Sequence, residues 1–285
     1  MPRHTDVFFS PEVIPLFPYF VLFGRIIPMY AAMAVMGILI SGWYLCRSAK
    51  RRGMDENDVI ILGLIVCIGV FLGGHLLYAL VNYNTLPEIF RQTSWKGLLE
   101  ALRISFSGSV FYGGLGGGIL AAVIDRRIRK KPLTPYADLL APAAPLFHGF
   151  ARIGCFLGGC CYGIPCSVGF IYTRSLFPEA DGVRRFPVQL LEAAFDFALF
   201  LLLHRLSRRE KWRGALLPLY LLLYSAFRFG DEFLRGDTVR GIWWGLSTSQ
   251  WISIPLFLCA ALLLFRWARR GRAAGDIHAR THTSP

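Results

Sequence analysis

The residues best suited to chemistry form a run of arginines and acids in the last quarter of the chain. The run reads Tyr224-Ser-Ala-Phe-Arg228-Phe-Gly-Asp-Glu232-Phe-Leu-Arg235. A helix turns by about 100° per residue, which places these four numbered side chains in one narrow arc. Guanidinium groups bind phosphate in bidentate fashion, and a carboxylate between them can hold them in place. The spacing therefore indicates either an anion site or a structural ion-pair network, and both alternatives remain open.

A second run combines a histidine, an arginine and a cysteine. His148, Arg152 and Cys155 are separated by four and three residues, so they share one face if the segment is helical. The helix is expected to end near Gly158 and Gly159, because glycine permits a tight turn. His148 is a candidate for proton transfer beside Arg152. The alternative is a histidine that only donates hydrogen bonds within a helical bundle.

Four of the seven cysteines follow closely in the same region. They are Cys155, Cys160, Cys161 and Cys166, with the spacing C-x4-C-C-x4-C. This is not the CxxC spacing of zinc sites, so the sequence predicts no metal. Three alternatives remain for Cys155, Cys160 and Cys161: a disulfide, a thiol made reactive by the neighbouring histidine and arginine, or small residues packed in a turn.

A glycine-rich run follows Phe111 and Tyr112. Its glycines do not fit the dinucleotide-binding pattern, which needs glycine at the first, third and sixth positions. The pairs Gly113/Gly117 and Gly114/Gly118 instead match the small-xxx-small pattern that lets two membrane helices approach closely. A second alternative is that backbone amides of this run contact a lipid head group.

Composition decides which elements must position these residues. The chain has 285 residues, of which 54% are hydrophobic and 17% charged, with a net charge of +13. This apolarity excludes a disordered chain, and it argues against a nucleic-acid binder. We predict an all-α integral membrane protein with seven spans, since about 20 apolar residues cross a bilayer as a helix. The spans are expected near 20–46, 58–81, 108–125, 137–156, 188–204, 214–230 and 249–267.

The positions of the basic residues predict the orientation. Arginine and lysine gather directly after the first, third, fifth and seventh spans, at 47–52, 126–131, 205–213 and 266–280. All four clusters fall on one side of the membrane if there are seven spans. The positive-inside rule then places the N-terminus outside and the C-terminus in the cytoplasm. No cleavable signal peptide is visible, so residues 1–270 are predicted to form one membrane domain, followed by a polar, disordered cytoplasmic tail at 271–285.

Two motifs resemble those of the prolipoprotein diacylglyceryl transferases. The segment Arg152-Ile-Gly-Cys155-Phe-x-Gly-Gly-x-x-Tyr-Gly163 is similar to the family signature G-R-x-G-N-F-x-N-G-E-x-x-G, and the run at 224–237 is a second match. Weaker matches lie near Tyr30, Phe111–Gly114, Pro187–Glu192 and Ser249–Pro255. The resemblance runs almost end to end, from about Phe20 to Trp267.

The resemblance implies a multi-pass enzyme of the bacterial inner membrane. Such enzymes move a diacylglyceryl group from phosphatidylglycerol to the lipobox cysteine of a prolipoprotein, giving a thioether and glycerol phosphate. They need no cofactor and no metal. The implied partners are phosphatidylglycerol or a similar anionic lipid, the prolipoprotein signal peptide and the bilayer, with no nucleic acid. The implied catalytic residues are Arg152, Arg228 and Glu232, with His148 and Tyr112 added as hypotheses. The implied substrate-binding residues are Arg152, Arg235, Tyr30, Gly113, Gly114, Gly163 and Gln250.

The chain departs from the family pattern at polar residues that could transfer protons. Tyr112 replaces the family histidine, while Cys155 and Cys160 stand where the signature has asparagine and glutamate. His148 lies one helical turn before Arg152, and we hypothesise that it replaces the missing histidine with Tyr112 as its hydrogen-bond partner. Two other functions stay open: a divergent relative that acts on another lipid or acceptor through its cysteine cluster, and a non-enzymatic lipid-binding or transport protein.

Overall fold

A computed structural model describes residues 18–85, 87–91, 94–106, 108–175, 177–237 and 241–281. The helices are α1 (Met29–Arg51), α2 (Glu56–Val81), α3 (Pro87–Arg91), α4 (Trp95–Ser105), α5 (Phe111–Ile128), α6 (Thr134–Gly158), α7 (Val188–Leu206), α8 (Leu216–Asp231) and α9 (Thr248–Thr281). Antiparallel hairpins pair β1 (Tyr19–Leu22) with β2 (Arg25–Pro28), β3 (Pro165–Ile171) with β4 (Arg184–Arg185), and β5 (Ile242–Trp243) with β6 (Leu246–Ser247). The predicted helical character is confirmed for most of the described chain, and the hairpins are additions to it.

Each of the seven predicted spans contains one long helix, but two boundaries differ from prediction. The expected start of the first span near residue 20 is wrong, because the hairpin β1–β2 occupies that segment and α1 begins only at Met29. Phe23 and Gly24 form its turn with φ of 49° and 72°, the positive values that a two-residue hairpin turn needs. At the other end, α9 continues past Arg270 to Thr281. Disorder of the tail stays a prediction, and residues 282–285 lie outside the described residues.

Four of the helices are long and apolar enough to cross a membrane. They are α1, α2, α6 and the part of α9 from Thr248 to Arg270. Two of the other helices do not meet this description for local reasons. Helix α8 has only 16 residues, and α7 carries the charged residues Glu192, Asp196 and Arg205 within 19 residues. The fold is therefore that of a mostly helical chain with a membrane-embedded part. Helix α7 matters for the candidate site because its acidic side chains are buried.

The chain forms two compact units, one built from the described residues up to Leu45 and from Ala137 onward, the other from Cys46–Tyr136. In the second unit α2 packs against α5 through glycines. A Cβ atom added to Gly117 would lie 2.9 Å from the Cα atom of Gly73, closer than packed carbon atoms come. The predicted small-residue contact of Gly113 and Gly117 is thus confirmed, with Gly69 and Gly73 as its partners.

This contact predicts a position-specific effect of one added methyl group. Gly117→Ala is expected to destabilise the protein by about 1–3 kcal/mol, because the helix backbones must separate. Gly116 is the matched control, since a Cβ atom there meets no atom within 4 Å. Thermal unfolding of both variants in the same detergent measures the difference. Equal melting temperatures for Gly117→Ala and Gly116→Ala would contradict the close packing of α2 and α5.

One arginine of the predicted cytoplasmic clusters is buried in the second unit. Arg126 is only 2% exposed, and its Nη1 atom lies 2.6 Å from Asp58 Oδ2. It also pairs with Asp125, and its guanidinium group lies 4.4 Å from the ring centre of Tyr136. A buried arginine held in this way joins α5 to the start of α2. Its part in setting the membrane orientation stays a prediction.

The first unit is built around α6. The apolar face of this helix packs Ala143 and Leu146 against Tyr44 of α1, with Phe150 and Phe197 at the edge of the cluster. The helix passes through both of its prolines without interruption. Near its start Asp138 accepts hydrogen bonds from the backbone N–H groups of Gly214 and Leu216, at 2.5 and 3.2 Å. Because the first N–H groups of a helix lack partners within it, Asp138 caps α8 and fixes its position relative to α6.

Candidate active site

Three helices of the first unit bring ionised side chains together in its interior. The last turns of α6 carry His148 and Arg152, and the end of α8 carries Arg228. On α7, the spacing of three and four residues places Gln189, Glu192 and Asp196 on one face, and all three are buried.

Glu192 is the centre of the cluster, with three arginines around one carboxylate. Its Oε1 atom lies 3.1 Å from Arg228 Nη1 and 4.0 Å from Arg235 Nη1. Its Oε2 atom pairs with Nε of Arg152. Glu192 is 2% exposed and no arginine exceeds 7%. A buried charge is stable only when paired, so these four residues depend on one another.

The arginines have further acidic partners. Arg228 Nη1 lies 2.6 Å from Asp231 Oδ2, and Arg228 also pairs with Glu232. Arg235 donates from Nε and Nη2 to the two oxygens of Asp237, at 2.9 and 2.7 Å. With every group in its ordinary ionised form, four carboxylates lie against three arginines. The cluster is therefore an ordered ion-pair network rather than a plain excess of positive charge.

The predicted single helical arc is wrong at its last member. Helix α8 ends at Asp231, a short 3-10 turn follows, and Arg235 has extended backbone angles (φ −83°, ψ 140°). Arg235 nevertheless reaches Glu192, because its backbone pairs with that of Gly163. Ile164 N donates to Leu234 O at 3.0 Å beside this bridge. The spacing thus predicts correctly that Arg228 and Arg235 lie close together, although they do not share one helix.

His148 is held at both ring nitrogens. Its Nδ1 atom lies 2.8 Å from Asp196 Oδ2, and its Nε2 atom accepts a hydrogen bond from Arg152 Nε at 3.1 Å. The ring of Tyr224 lies edge-on, with 5.6 Å between centroids. The predicted shared face of His148 and Arg152 is confirmed. Tyr112 belongs to the second unit, so its pairing with His148 stays a prediction.

The cysteine-rich turn follows directly after α6. The helix ends at Gly158 as predicted, and Gly159 has a φ of 74°. Cys161 also has a positive φ, 54°, which side chains rarely adopt. Gln189 of α7 holds this turn by donating from Nε2 to Cys160 O at 2.8 Å. The turn is therefore attached to the same helix face that carries Glu192.

Three thiols meet in this turn. The Sγ atoms of Cys155, Cys160 and Cys161 all lie within 4.8 Å of one another. All three are free, so the disulfide alternative is not realised. Hydrogen bonds from the other two thiols hold the pKa of Cys161 well below its usual value, and the charges of Arg235 and Arg152 lower it further. The turn can therefore hold one thiolate beside two arginines.

The other predicted site residues have varied surroundings. Tyr30 lies in the first turn of α1 and is 45% exposed, with its backbone against Gly154. Gln250 is buried, its Oε1 atom accepts from Ser247 N and its Nε2 atom donates to Phe229 O. Its role in substrate binding stays a prediction. An added Cβ atom at Gly163 would meet the carbonyl of Phe186, so only glycine fits there. Gly113 and Gly114 lie in α5 of the second unit.

Sequence reasoning misses the central residues Glu192 and Asp196. Their signal was nonetheless present, because two acids four residues apart in an apolar helix are costly in a membrane and imply a buried function. Gln189, Asp231 and Asp237 are also missed. Each is adjacent to a selected arginine or cysteine in space but lacks a distinctive spacing of its own.

Comparisons with known proteins identify the family of the chain. The family model described as prolipoprotein diacylglyceryl transferase matches residues 18–266. A phosphatidylglycerol--prolipoprotein diacylglyceryl transferase of Clostridium tetani is 35% identical over 82% of this chain and 91% of its own. Relatives with the same activity in their names occur in Clostridium perfringens (34% identity, 85% and 91%) and Geobacter sulfurreducens (34%, 85% and 91%).

Proposed function

The chain belongs to the prolipoprotein diacylglyceryl transferase family, and on this premise we propose that it transfers the diacylglyceryl group of phosphatidylglycerol to the lipobox cysteine of prolipoproteins. The observation that carries the proposal is the group of three buried arginines around Glu192. An anionic phosphate is the substrate group that such a site suits best. The alternative of a non-enzymatic lipid carrier does not account for family membership over most of the chain.

The reaction needs stabilisation of a leaving phosphate. The substrate thiolate attacks the glyceryl carbon, the carbon–oxygen bond to phosphate breaks, and the electron pair remains on glycerol phosphate. Within the described residues, the contacts of Arg152 with His148 and Glu192 both fall on Nε, which leaves its two terminal amino groups to donate to the phosphate. Arg228 and Arg235 supply further positive charge in a site shielded from water. Fixed donors of this kind reduce the barrier without reorganisation during the reaction.

The carboxylates of the cluster have a positioning role in this proposal. Glu232 and Asp231 hold Arg228, and Asp237 holds Arg235 in a bidentate pair. Arginine has many rotamers, and fixing it before the lipid binds reduces the entropy lost at that step. Glu192 aligns all three arginines on one point. The lipid phosphate then meets an arranged set of donors.

His148 fits a positioning role better than that of a general base. Its Nε2 lone pair accepts from Arg152, and Nδ1 lies against Asp196, so neither ring nitrogen is directed to an incoming thiol. The carboxylate of Asp196 fixes the orientation of the His148 ring, and the ring in turn fixes the orientation of Arg152. The hypothesis that His148 replaces the family histidine as base remains an alternative, and the two roles differ in their pH dependence.

A single variant separates these roles. We expect His148→Gln to reduce the rate of thioether formation about 10-fold to 100-fold, the usual effect of losing a supporting hydrogen bond. The pH–rate profile should keep its shape, because a positioning group does not exchange protons with substrate. Loss of the pH dependence together with a rate decrease of about 10²–10⁴ would instead establish His148 as the base. His204→Gln, on α7 beside Tyr44, is the matched control.

The membrane arrangement is proposed with the activity. All seven long helices cross the bacterial inner membrane, with the N-terminus outside and the C-terminus in the cytoplasm. The alternation of basic clusters supports this arrangement through the positive-inside rule. The buried charges of α7 and α8 then lie inside the protein, where paired arginines and acids are tolerated. A C-terminal green fluorescent protein fusion should fluoresce, and an alkaline phosphatase fusion at the same site should be inactive.

The proposed activity is tested by complementation. A bacterial strain depleted of its own transferase should recover growth and lipidate a reporter prolipoprotein when this chain is expressed. Purified protein in phosphatidylglycerol vesicles should convert a lipobox peptide to its thioether and release glycerol phosphate. Absence of both products from protein that is correctly inserted in the membrane would refute the proposal.

A further inference from the structure

The thiols of Cys155, Cys160 and Cys161 form a compact donor set that the proposed function does not use. Their Sγ atoms lie within 4.8 Å of one another. Zinc–sulfur bonds are about 2.3 Å long, which separates the sulfurs of a tetrahedral site by about 3.8 Å. Movement of each thiol by about 1 Å or less would therefore complete such a site. The backbone is already arranged for it, because the positive φ of Cys161 turns the chain back towards Cys155.

We propose that Cys155, Cys160 and Cys161 bind a thiophilic divalent cation, zinc by preference, whose fourth position receives the thiol of the acceptor cysteine. This inference rests on the proposed transferase function and adds a means of activating the acceptor. It departs from two expectations based on sequence, since the resemblance implies no metal and C-x4-C-C lacks the CxxC spacing of zinc sites. The folded turn, rather than the spacing, brings the three sulfurs together.

The number of ligands favours a reactive site over a structural one. Structural zinc sites have four protein ligands, whereas catalytic sites have three and keep one position open. Within the described residues, this donor group comprises three thiols. A thiol that binds the open position is deprotonated by the metal. The acceptor could thus become a thiolate although tyrosine stands at the position of the family histidine.

Charge balance and location support the same assignment. Three thiolates and one Zn²⁺ ion carry a net charge of −1. The positive charges of the buried side chains Arg152 and Arg235 can compensate it. Cys155 lies three residues after Arg152 on α6, and the bridge between Gly163 and Arg235 follows two residues after Cys161. The metal would therefore hold the sulfur nucleophile next to the arginines that receive the phosphate.

The reaction balances without a redox step. The acceptor thiol binds the metal as a thiolate and releases its proton. The sulfur then forms a bond to the glyceryl carbon while the carbon–oxygen bond breaks and glycerol phosphate departs with the electron pair. The phosphate monoester, whose second pKa is near 6, can take up the released proton. The thioether product is a weaker metal ligand than a thiolate, so it leaves the site free for the next acceptor.

The experiment compares metal content with transfer activity. The full-length protein is purified under reducing conditions, and zinc is measured by elemental analysis. We expect about one zinc per chain, with loss of zinc in Cys155→Ser, Cys160→Ser and Cys161→Ser. Cys259→Ser is the matched control, because this exposed cysteine of α9 lies far along the sequence from the turn. Replacement of zinc by Co²⁺ should give the absorption of sulfur-to-cobalt charge transfer.

Activity then separates failure of the inference from failure of the proposed function. We expect a strong chelator to reduce thioether formation at least 10-fold, and added ZnCl₂ to restore it. Full transfer by chelated, zinc-free protein would overturn the inference and leave the transferase function intact. Zinc retained equally by wild type and all three serine variants would also overturn the assignment. Zinc binding without any transfer in the wild type would instead refute the function.

Discussion

Glu192→Gln is expected to abolish transfer and to destabilise the protein by about 3–5 kcal/mol, the usual effect of removing one partner of a buried ion pair. Glutamine has nearly the same shape, so the effect comes from the lost charge. Arg228 keeps Asp231 and Glu232, and Arg235 keeps Asp237. Arg152, in contrast, loses the one carboxylate found to pair with it among the described residues. The loss of stability and of transfer should therefore arise mainly from Arg152.

The measurements are thermal unfolding in detergent and the rate of thioether formation in vesicles. Glu210→Gln is the matched control, because Glu210 is 89% exposed in its pair with Arg213. Exposed pairs contribute about 0–1 kcal/mol, so this variant should resemble the wild type. A Glu192→Gln protein as stable and active as Glu210→Gln would contradict the central position of Glu192.

A double variant isolates the cause. Removing the charge of Arg152 as well, in Glu192→Gln with Arg152→Gln, should destabilise the protein less than the sum of the two single changes. The reason is that no arginine is then left buried without a carboxylate. Transfer should stay absent, since the donor to the phosphate is missing. Strict additivity of the two stability changes would show that the residues act independently.

The sequence predicts the helices well because hydrophobic runs respond directly to the solvent around them. All seven predicted spans contain a helix, and α6 continues through Pro142 and Pro145 where propensity is unfavourable. The errors lie at boundaries and in local turns. The predicted start of the first span is too early because the strands β1 and β2 consist mostly of apolar residues, like the helix that follows. An apolar run does not by itself distinguish a short hairpin from the beginning of a helix.

The site is predicted less completely, because a motif names residues but not their partners. Arg152, Arg228, Glu232 and His148 do converge with Arg235. Their common partner Glu192 lies on a third helix, 40 residues from Arg152 and 36 residues from Arg228 along the chain. Local spacing cannot reveal such a contact. The same holds for Gln250, which the resemblance marks as substrate-binding without indicating that its amide contacts the backbone of Ser247 and Phe229.

The second large effect is expected for Arg152→Lys, which keeps the positive charge and removes the guanidinium fork. Transfer should slow about 10²-fold to 10³-fold, as when one donor to a developing negative charge is removed. Lysine presents a single ammonium group, so it cannot both contact Glu192 and His148 and direct two further donors to a phosphate. Stability should change far less than in Glu192→Gln, because the ion pair survives.

Kinetics of Arg152→Lys distinguish two uses of this arginine. If Arg152 acts on the charge that develops as the phosphate departs, kcat and kcat/KM fall together while KM for phosphatidylglycerol stays near the wild-type value. If it only binds the lipid, KM rises and kcat is unchanged. Arg213→Lys, a change at a 68% exposed side chain, is the matched control and should alter neither constant. We expect the first pattern, because the contacts on Nε hold Arg152 in place before the lipid binds, and donors fixed in advance act on the charge that develops during the reaction.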